Sequence, residues 1–222
     1  LMAKAGVSLF TNAPGRALAL DVTRRALESV GAADATALLW GPEPLLAANA
    51  VVSESAVSTR LGLRGEPEEA EVLRAMAARL LAEKSRCRTI FGPVSTTKTA
   101  DALAGSDAIG ALCCAWSLLL DEDAHRERPF DVNLALRPPL RRAADREALI
   151  EACRAGDVAI TPGHRPAAAH EKEVEFGLAK PGGSALELAI AALVDVDDNT
   201  DVLDPNAAAL GLAQTPARLL GD

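Results

Sequence analysis

The residues with the clearest chemical potential follow a short apolar run, Val158 to Thr161, in the sequence Pro162-Gly163-His164. The run predicts a buried strand, and in parallel α/β proteins ligands and catalytic groups gather at the carboxyl ends of strands. His164 brings an imidazole to such an end, but the first acidic residue after it is Glu171. A single imidazole without a carboxylate or a metal has little catalytic means. We therefore predict a loop histidine hydrogen-bonded to the backbone, and the alternative is a contact to a bound ligand.

The other histidines and the hydroxyl groups give weaker signals. His125 and His170 are flanked by acidic residues, which predicts solvated side chains. The segment Ser95–Lys98 could contact a phosphate at a helix N-terminus, but it lacks the glycines of a phosphate loop, so we expect a helix N-cap. Ser117 has no histidine or acid nearby in the sequence that would justify a catalytic triad.

Neither the clustered acids nor the cysteines predict a metal site. The acidic stretch lacks the glycine and the terminal glutamate of an EF-hand and is predicted to be a solvated loop; its members are Asp195, Asp197, Asp198 and Asp201. The cysteines match neither a zinc knuckle nor a Cys-x-x-Cys redox pair, which predicts reduced thiols and a cytoplasmic location; they are Cys87, Cys113, Cys114 and Cys153.

The elements that must position these residues alternate between strand and helix. Apolar runs predict strands at Val7–Phe10, Thr36–Trp40, Arg88–Gly92, Ile109–Cys114 and Val158–Thr161. Helical spacing predicts helices at Ala19–Val30, Glu68–Ser85, Thr97–Ala104, Asp145–Arg154 and Leu186–Val194, with a helical turn or two within Leu45–Val52. This alternation predicts parallel βα units and an α/β fold.

Five such units are too few to close an eight-stranded barrel, which needs about 200 to 250 residues with all eight strands. The chain begins at Leu1, and the segment Leu1–Phe10 reads as the end of a helix running into a strand. We therefore expect one partial barrel domain over residues 1–222, in a fragment, a processed chain or a chain whose N-terminal part is omitted. The uncovered edge strands predict a partner chain or further residues beside them.

Composition excludes several functional classes. The chain has 222 residues, of which 49% are hydrophobic, enough for the core of one domain. The net charge of −8 argues against a nucleic-acid or anionic-membrane partner, since both need a basic face. No apolar run approaches the roughly 18 residues of a membrane span, and the first ten residues lack a signal-peptide pattern. These features predict a soluble protein.

Several stretches together resemble the dihydroorotases of the amidohydrolase superfamily. The most specific is Glu54–Glu71, which contains Val-Ser-Thr-Arg-Leu-Gly before an acidic helix. The others are Val94–Thr96, Arg137–Arg141 with the helix after it, Gln214–Gly221, and Gly163–Ala167 followed by His170-Glu171-Lys172. The resemblance implies a TIM-type (β/α) barrel that is incomplete in this chain, without the family's opening strands and flanking β-sandwich segments.

The same resemblance implies that the family's zinc and substrate positions are substituted. The family's first-strand His-x-His pair is absent, and its bridging acid or modified lysine falls at Asn12. Family histidines align with Trp40 and Pro93, and a histidine pair aligns with Trp116-Ser117. The substrate-binding asparagine becomes Arg137, and the catalytic aspartate becomes Gly163, while His164 survives. We therefore expect no catalytic residue, no metal and no cofactor.

The function implied is that of a non-catalytic dihydroorotase-like protein that serves as a structural or regulatory partner of aspartate carbamoyltransferase in pyrimidine biosynthesis. One alternative is an active zinc-dependent dihydroorotase whose missing ligands lie in absent sequence. Another is a small-molecule sensor in which Arg137 or Arg165 holds an anion. Trp40 and Trp116 are expected to fill the former pocket, with an interface role as the alternative.

Overall fold

The fold is built on one parallel sheet. The computed structural model describes residues 2–12, 17–186, 189–194 and 202–221. Its strands are β1 (Leu9–Thr11), β2 (Thr36–Leu39), β3 (Val52–Ser53), β4 (Gly65–Glu66), β5 (Thr89–Val94), β6 (Ile109–Cys114) and β7 (Val158–Thr161). Five of them form the main sheet in the order β1-β2-β5-β6-β7, with all neighbours parallel. The short strands β3 and β4 pair separately, also in parallel.

Helices connect these strands, as parallel neighbours require. They are α1 (Leu20–Gly31), α2 (Ala56–Leu61), α3 (Glu69–Ser85), α4 (Thr97–Leu103), α5 (Trp116–Leu119), α6 (Ala124–Glu127), α7 (Ala143–Ala155), α8 (Ala169–Lys172), α9 (Ala189–Leu193), α10 (Pro205–Ala209) and α11 (Thr215–Leu220). Three short 3-10 turns span Ala3–Ala5, Val132–Leu134 and Phe176–Leu178, and the π turn Leu210–Gln214 joins α10 to α11.

The larger hydrophobic core lies between the sheet and helices α3, α4 and α7. Phe91 and Ile160 on the strands pack with Leu103 of α4 and Leu149 of α7, and all four side chains are buried. Truncating a fully buried leucine such as Leu149 to alanine costs about 2–5 kcal/mol. This core fixes the strand ends in relation to one another, and so fixes the residues that follow them.

A second core holds the loops beyond the strand ends. Trp116 and Cys114 pack there with Val52, Leu140 and Phe176. Helix α2 is anchored nearby by a capping box, in which the Ser55 hydroxyl accepts from the backbone of the first turn. The segment between β2 and α3 is therefore a folded layer above the sheet, not a free connection.

The five main strands were predicted: β6 and β7 have the predicted bounds, and the ends of β1, β2 and β5 differ from the prediction by at most two residues. The helical turn predicted within Leu45–Val52 is present as short turns, in which the Ala47 N–H donates to the Glu43 carbonyl at 3.0 Å, and the segment then leads into β3. Helix α9 covers part of the helix predicted at Leu186–Val194. The predicted acidic loop at Asp195, Asp197, Asp198 and Asp201 lies outside the described residues.

The sheet does not close into a barrel. Strands β1 and β7 are its two edges within the described residues, and β1 is short and mostly exposed. Within the same residues, no helix combines the length and the apolar character needed to cross a bilayer.

Candidate functional site

A cavity of about 550 Å³ lies at the carboxyl edge of the sheet. Strands β2, β5, β6 and β7 point their carboxyl ends towards it, and the loop before α7 closes one side. The positions singled out from the sequence meet there: Trp40, Pro93, Trp116, Arg137, Gly163 and His164 all line the cavity. This convergence follows from the parallel sheet, because strand ends of the same sense share one edge.

Asn12 is the exception, and it holds two strand ends together. Its side-chain amide donates to the Trp40 carbonyl at 3.1 Å, and its side-chain carbonyl accepts from the Trp40 backbone N–H at 2.8 Å. Both bonds are partly buried. Asn12 therefore ties the end of β1 to the end of β2, a structural task that sequence reasoning did not predict.

Trp116 occupies the space that a side chain at position 163 would need. Gly163 has a φ of +70°, in the left-handed region that favours glycine. A Cβ at this position would lie 2.6 Å from the Trp116 ring and 2.8 Å from the Cys114 sulfur. Both distances are far below van der Waals contact, so the buried indole and any side chain at 163 exclude each other.

His164 is held by the backbone, as predicted. Its Nδ1 accepts hydrogen bonds from the backbone N–H groups of Ala185 at 3.2 Å and Leu186 at 3.1 Å. A parallel bridge to Gly183 fixes the same loop. The Nδ1 lone pair therefore already accepts hydrogen bonds, and the histidine holds its loop in place.

Buried charges form the floor of the site, and we call Glu66, Glu71, Arg137 and Arg141 the buried ion cluster. Arg141 donates to the Glu66 carboxylate at 2.6 Å and to the Glu66 carbonyl at 2.9 Å. Arg137 contacts the other Glu66 oxygen at 2.5 Å and also donates to the Ala50 carbonyl. Arg137, considered as an anion-holding residue, is therefore already committed to Glu66.

The second acid of the buried ion cluster holds the start of α4. Glu71 accepts from the Ser95 backbone at 2.8 Å, the Ser95 hydroxyl at 2.5 Å and the Thr96 backbone at 3.2 Å. The Ser95 hydroxyl in turn accepts from Arg141 at 3.0 Å. Thr96 is the N-cap of α4, as predicted, since its hydroxyl accepts from the Thr99 N–H.

Charge is balanced within the cluster, with two carboxylates and two guanidinium groups. Burial raises the pKa of Glu66, and the neighbouring Arg141 and Arg137 oppose that rise. Sequence reasoning missed these pairings. The available signal was the Glu54–Glu71 segment, the most specific stretch of the resemblance, which contains both acids of the cluster.

Arg165 lines the cavity without a carboxylate partner for its side chain among the described residues. It is partly buried and lines the cavity, and its side chain makes no hydrogen bond or ion pair within the described residues. Its backbone N–H donates to the Gly183 carbonyl at 2.9 Å, so the loop is fixed while the guanidinium stays available. Desolvating an unpaired cation is costly, which favours an anionic partner.

The two tryptophans line the cavity and do not fill it, contrary to expectation. Trp40 stands at the end of β2 and Trp116 at the start of α5, and the space of about 550 Å³ remains beside them. Trp116 is only 7% exposed, because its ring packs into the second core and over Gly163.

His125 is buried, so the prediction of a solvated side chain was wrong. It is 2% exposed, and its ring meets Phe176 edge to face with centroids 5.7 Å apart. The acids beside it in sequence lie on a helical turn whose other face packs inward, so neighbouring charge did not determine exposure. His170 is exposed, as predicted. Ser117 is buried, and its hydroxyl has no partner among the described residues.

The donors at the cavity do not fit a zinc ion. A catalytic zinc site takes three protein ligands. Burial raises the pKa of the Cys114 thiol and so disfavours the thiolate that would bind metal. The Glu66 and Glu71 oxygens accept hydrogen bonds from arginine and serine, and Nδ1 of His164 accepts hydrogen bonds from the backbone. Among residues 2–12, 17–186, 189–194 and 202–221, no three metal-binding side chains group together.

Comparison with known sequences finds dihydroorotases. The chain is 33% identical over 205 residues to the dihydroorotase of Mycobacterium leprae, covering 90% of the chain and 47% of the relative. It is 32% identical over 221 residues to a dihydroorotase-like protein of Pseudomonas aeruginosa, covering 97% and 51%. The chain thus spans about half the length of the curated relatives it matches. No family model matches it.

Comparison with solved structures finds amidohydrolase barrels. The L-hydantoinase (dihydropyrimidinase) of Arthrobacter aurescens superposes with a TM-score of 0.81 at 16% identity, covering 99% of this chain and 52% of the other. The dihydroorotase of Campylobacter jejuni gives 0.69 at 14% identity, covering 98% and 59%. At these identities the likeness concerns the fold, and it confirms the prediction of an α/β chain that forms part of a TIM-type barrel.

Proposed function

We propose that this chain, a relative of the dihydroorotases with the fold of the amidohydrolase barrels, is a non-catalytic member of that group. The observation that carries the proposal is the contact between Trp116 and Gly163. By resemblance, position 163 is where the family holds its catalytic aspartate. A carboxylate cannot stand there while the indole keeps its buried place, since the first side-chain atom would lie 2.6 Å from the ring.

The remaining substituted positions support the same proposal. Trp40 and Pro93 offer no lone pair for a metal, and the side-chain amide of Asn12 is bonded to the Trp40 backbone. Sequence outside this chain could supply the family's missing His-x-His pair, but it would leave these positions unchanged. An active zinc-dependent dihydroorotase would therefore need a donor set unlike the family's, and it is the alternative that the experiment must exclude.

The activity test uses the natural protein that contains this chain. We expect no dihydroorotate hydrolysis above background and no stoichiometric zinc by elemental analysis, because the described residues of the cavity do not supply three free donors. The Mycobacterium leprae dihydroorotase, assayed in parallel after the same zinc loading, is the positive control. One or more bound zinc ions per chain, together with turnover, would overturn the proposal in favour of the active-enzyme alternative.

We further propose a structural or regulatory role beside the aspartate carbamoyltransferase catalytic chain, in the cytoplasm. This role rests on the resemblance to inactive dihydroorotase-like proteins, and the Pseudomonas aeruginosa relative carries a dihydroorotase-like name. Purification of the tagged protein from its native host tests it. The transferase chain should co-purify in a fixed ratio and lose activity or assembly when the partner is removed. Recovery of the transferase at full activity and unchanged size without this protein would exclude the role.

A second candidate function is the binding of a small anion, and Arg165 is the observation that favours it. The guanidinium lines an aromatic and apolar cavity without a partner among the described residues. Thermal-shift measurements with carbamoyl aspartate, dihydroorotate and nucleotides test the idea. A stabilising ligand should lose its effect in Arg165→Gln and keep it in Arg126→Gln, an exposed arginine paired with Asp123. No shift with any of these compounds would leave the scaffold role as the single proposal.

A further inference from the structure

The outer face of α3 carries an apolar stripe that nothing in the described structure covers. Leu73, Met76 and Leu80 are 53%, 49% and 67% exposed, and their spacing of three and four residues places them on one side of the helix. The opposite side faces the sheet and is buried through Ala70, Ala75, Ala78 and Ala82, among others. The stripe therefore points directly away from the sheet.

The two ends of the stripe carry residues of opposite charge. Glu69 lies one turn before Leu73, and Lys84 lies one turn after Leu80, on the same side of the helix. Both extend beyond the apolar residues, and neither makes a salt bridge within the described residues. Nearby charges are already satisfied, since Arg79 pairs with Glu83 and Lys98 pairs with Glu68.

The α3 stripe and its end charges are complementary to the same stripe of a second copy that runs in the opposite direction. Two α3 helices packed antiparallel about a twofold axis between Met76 and Ala77 bring Leu73 of one copy against Leu80 of the other. The same register brings Glu69 against Lys84 at both ends, about 22 Å apart along the helix. Parallel packing would set like charges together. A twofold interface requires one patch that matches itself, and the α3 stripe does so in both apolar and charged positions.

We propose that α3 is the contact surface of a homodimer, with a second copy of this chain packed antiparallel across Leu73, Met76 and Leu80. Helix α1, which packs beside α3, leaves Leu20 and Val22 about half exposed. The twofold contact buries the stripe and pairs all four end charges between copies.

Sedimentation of the natural protein across a concentration series tests the interface. We expect a monomer–dimer equilibrium with a Kd near the micromolar range. Leu80→Glu should weaken it by about 30-fold or more, because the two contacts between Leu80 and Leu73 of the other copy then bury a charge. Leu178→Glu is the matched control, since Leu178 is 75% exposed and lies on a distant 3-10 turn. A monomer at all concentrations, or a dimer unaffected by Leu80→Glu, would overturn the proposal.

Charge exchange tests the antiparallel register with surface variants that should not disturb folding. Glu69→Lys and Lys84→Glu should each weaken self-association, because each sets like charges against one another at both ends of the stripe. An equimolar mixture of the two should form a heterodimer, because every contact between positions 69 and 84 then joins a lysine to a glutamate across the axis. Single variants that dimerise like the unaltered protein, or a mixture that stays monomeric while Leu80→Glu still dissociates the dimer, would exclude this register.

Discussion

At the scale of single residues, the large side chain of Trp116 and the lack of a side chain at Gly163 determine how much space the site has between β6 and β7. Trp116 contributes its ring to the second core, and Gly163 leaves the room that the ring needs. Residue types alone indicated that both positions had lost their family chemistry. The steric exclusion between them appears only when β6 and β7 are paired, since the two residues belong to different βα units.

Substituting Gly163 should reveal that exclusion as a stability effect. Gly163→Ala should lower the free energy of unfolding by about 2–5 kcal/mol, through both the crowded Cβ and the left-handed φ. Gly105→Ala, at a φ of +72° with nothing within 4 Å, is the matched control and should cost about 1–2 kcal/mol. In a Trp116→Ala background the cost of Gly163→Ala should fall by about 1 kcal/mol or more. Additive costs in denaturant titrations would contradict the steric account.

The buried His125 predicts a pH dependence of stability. Burial lowers the pKa of His125, with nearby Arg128 acting in the same direction and Glu122 opposing. Between that lowered pKa and the ordinary value of 6.5, the unfolded chain binds a proton that the folded chain does not. Stability should therefore fall as pH drops below 6.5, by at most about 1.4 kcal/mol per pH unit.

Two histidine variants test whether His125 causes this pH dependence. His125→Phe keeps an aromatic ring against Phe176 and should flatten the pH dependence in that window, measured by urea titrations at a series of pH values. His170→Gln changes an exposed histidine and should preserve the slope. An unchanged slope in His125→Phe would show that other groups cause it.

At the scale of secondary-structure elements, the buried ion cluster joins parts that are remote in sequence. Glu66 belongs to β4, Glu71 to α3, and Ser95 to the turn between β5 and α4, while Arg141 precedes α7. Removing one partner of a buried pair leaves an uncompensated charge, which costs more than the pair itself contributes. The cluster therefore fixes how the layer above the sheet sits on the strand ends.

Breaking the cluster should destabilise the protein far more than breaking a surface pair. Arg141→Met should cost about 3–5 kcal/mol, because it leaves Glu66 buried with one arginine and removes a donor from Ser95. Arg24→Met, which breaks a half-exposed pair with Glu28, should cost less than about 1 kcal/mol. Equal costs in thermal or denaturant unfolding would show that the buried charges are not coupled to folding.

The sequence predicted which segments are strands or helices far better than it predicted the contacts between them. The strands at Ile109–Cys114 and Val158–Thr161 matched their predictions because apolar runs between turn residues have few other interpretations. The pairing of Arg141 with Glu66 spans 75 positions, and no local pattern specifies it. His125 failed for the same reason, since charges beside it in sequence do not report which face of a short helix packs inward.

At the scale of the whole molecule, the sheet of this chain matches only part of a barrel. The chain matches about half the length of its relatives, and its five-stranded sheet ends at β1 and β7. The central strands β5 and β6 each pair with a neighbour on both sides and are mostly buried, while β1 pairs on one side through three residues. Backbone protection should therefore be uneven across the sheet.

Hydrogen exchange on this 222-residue chain should rank its strands. Amides of β5 and β6 should exchange most slowly, β7 faster, and β1 fastest, because an edge strand can open without breaking the core. Exchange measured by mass spectrometry on overlapping peptides gives the ranking. A β1 strand as protected as β5 would contradict an edge position and indicate an additional strand beside it.

The contact between the Trp116 indole and Gly163 also predicts the order of two substitutions in the history of this chain. If an ancestor of this chain carried a carboxylate at position 163, as the proposed function implies, the contact with the indole predicts that the carboxylate was lost before a tryptophan entered position 116. An intermediate with glycine at 163 and a smaller residue at 116 would have had a wider cavity. Reconstructed ancestors should show that sequence of events and never its reverse.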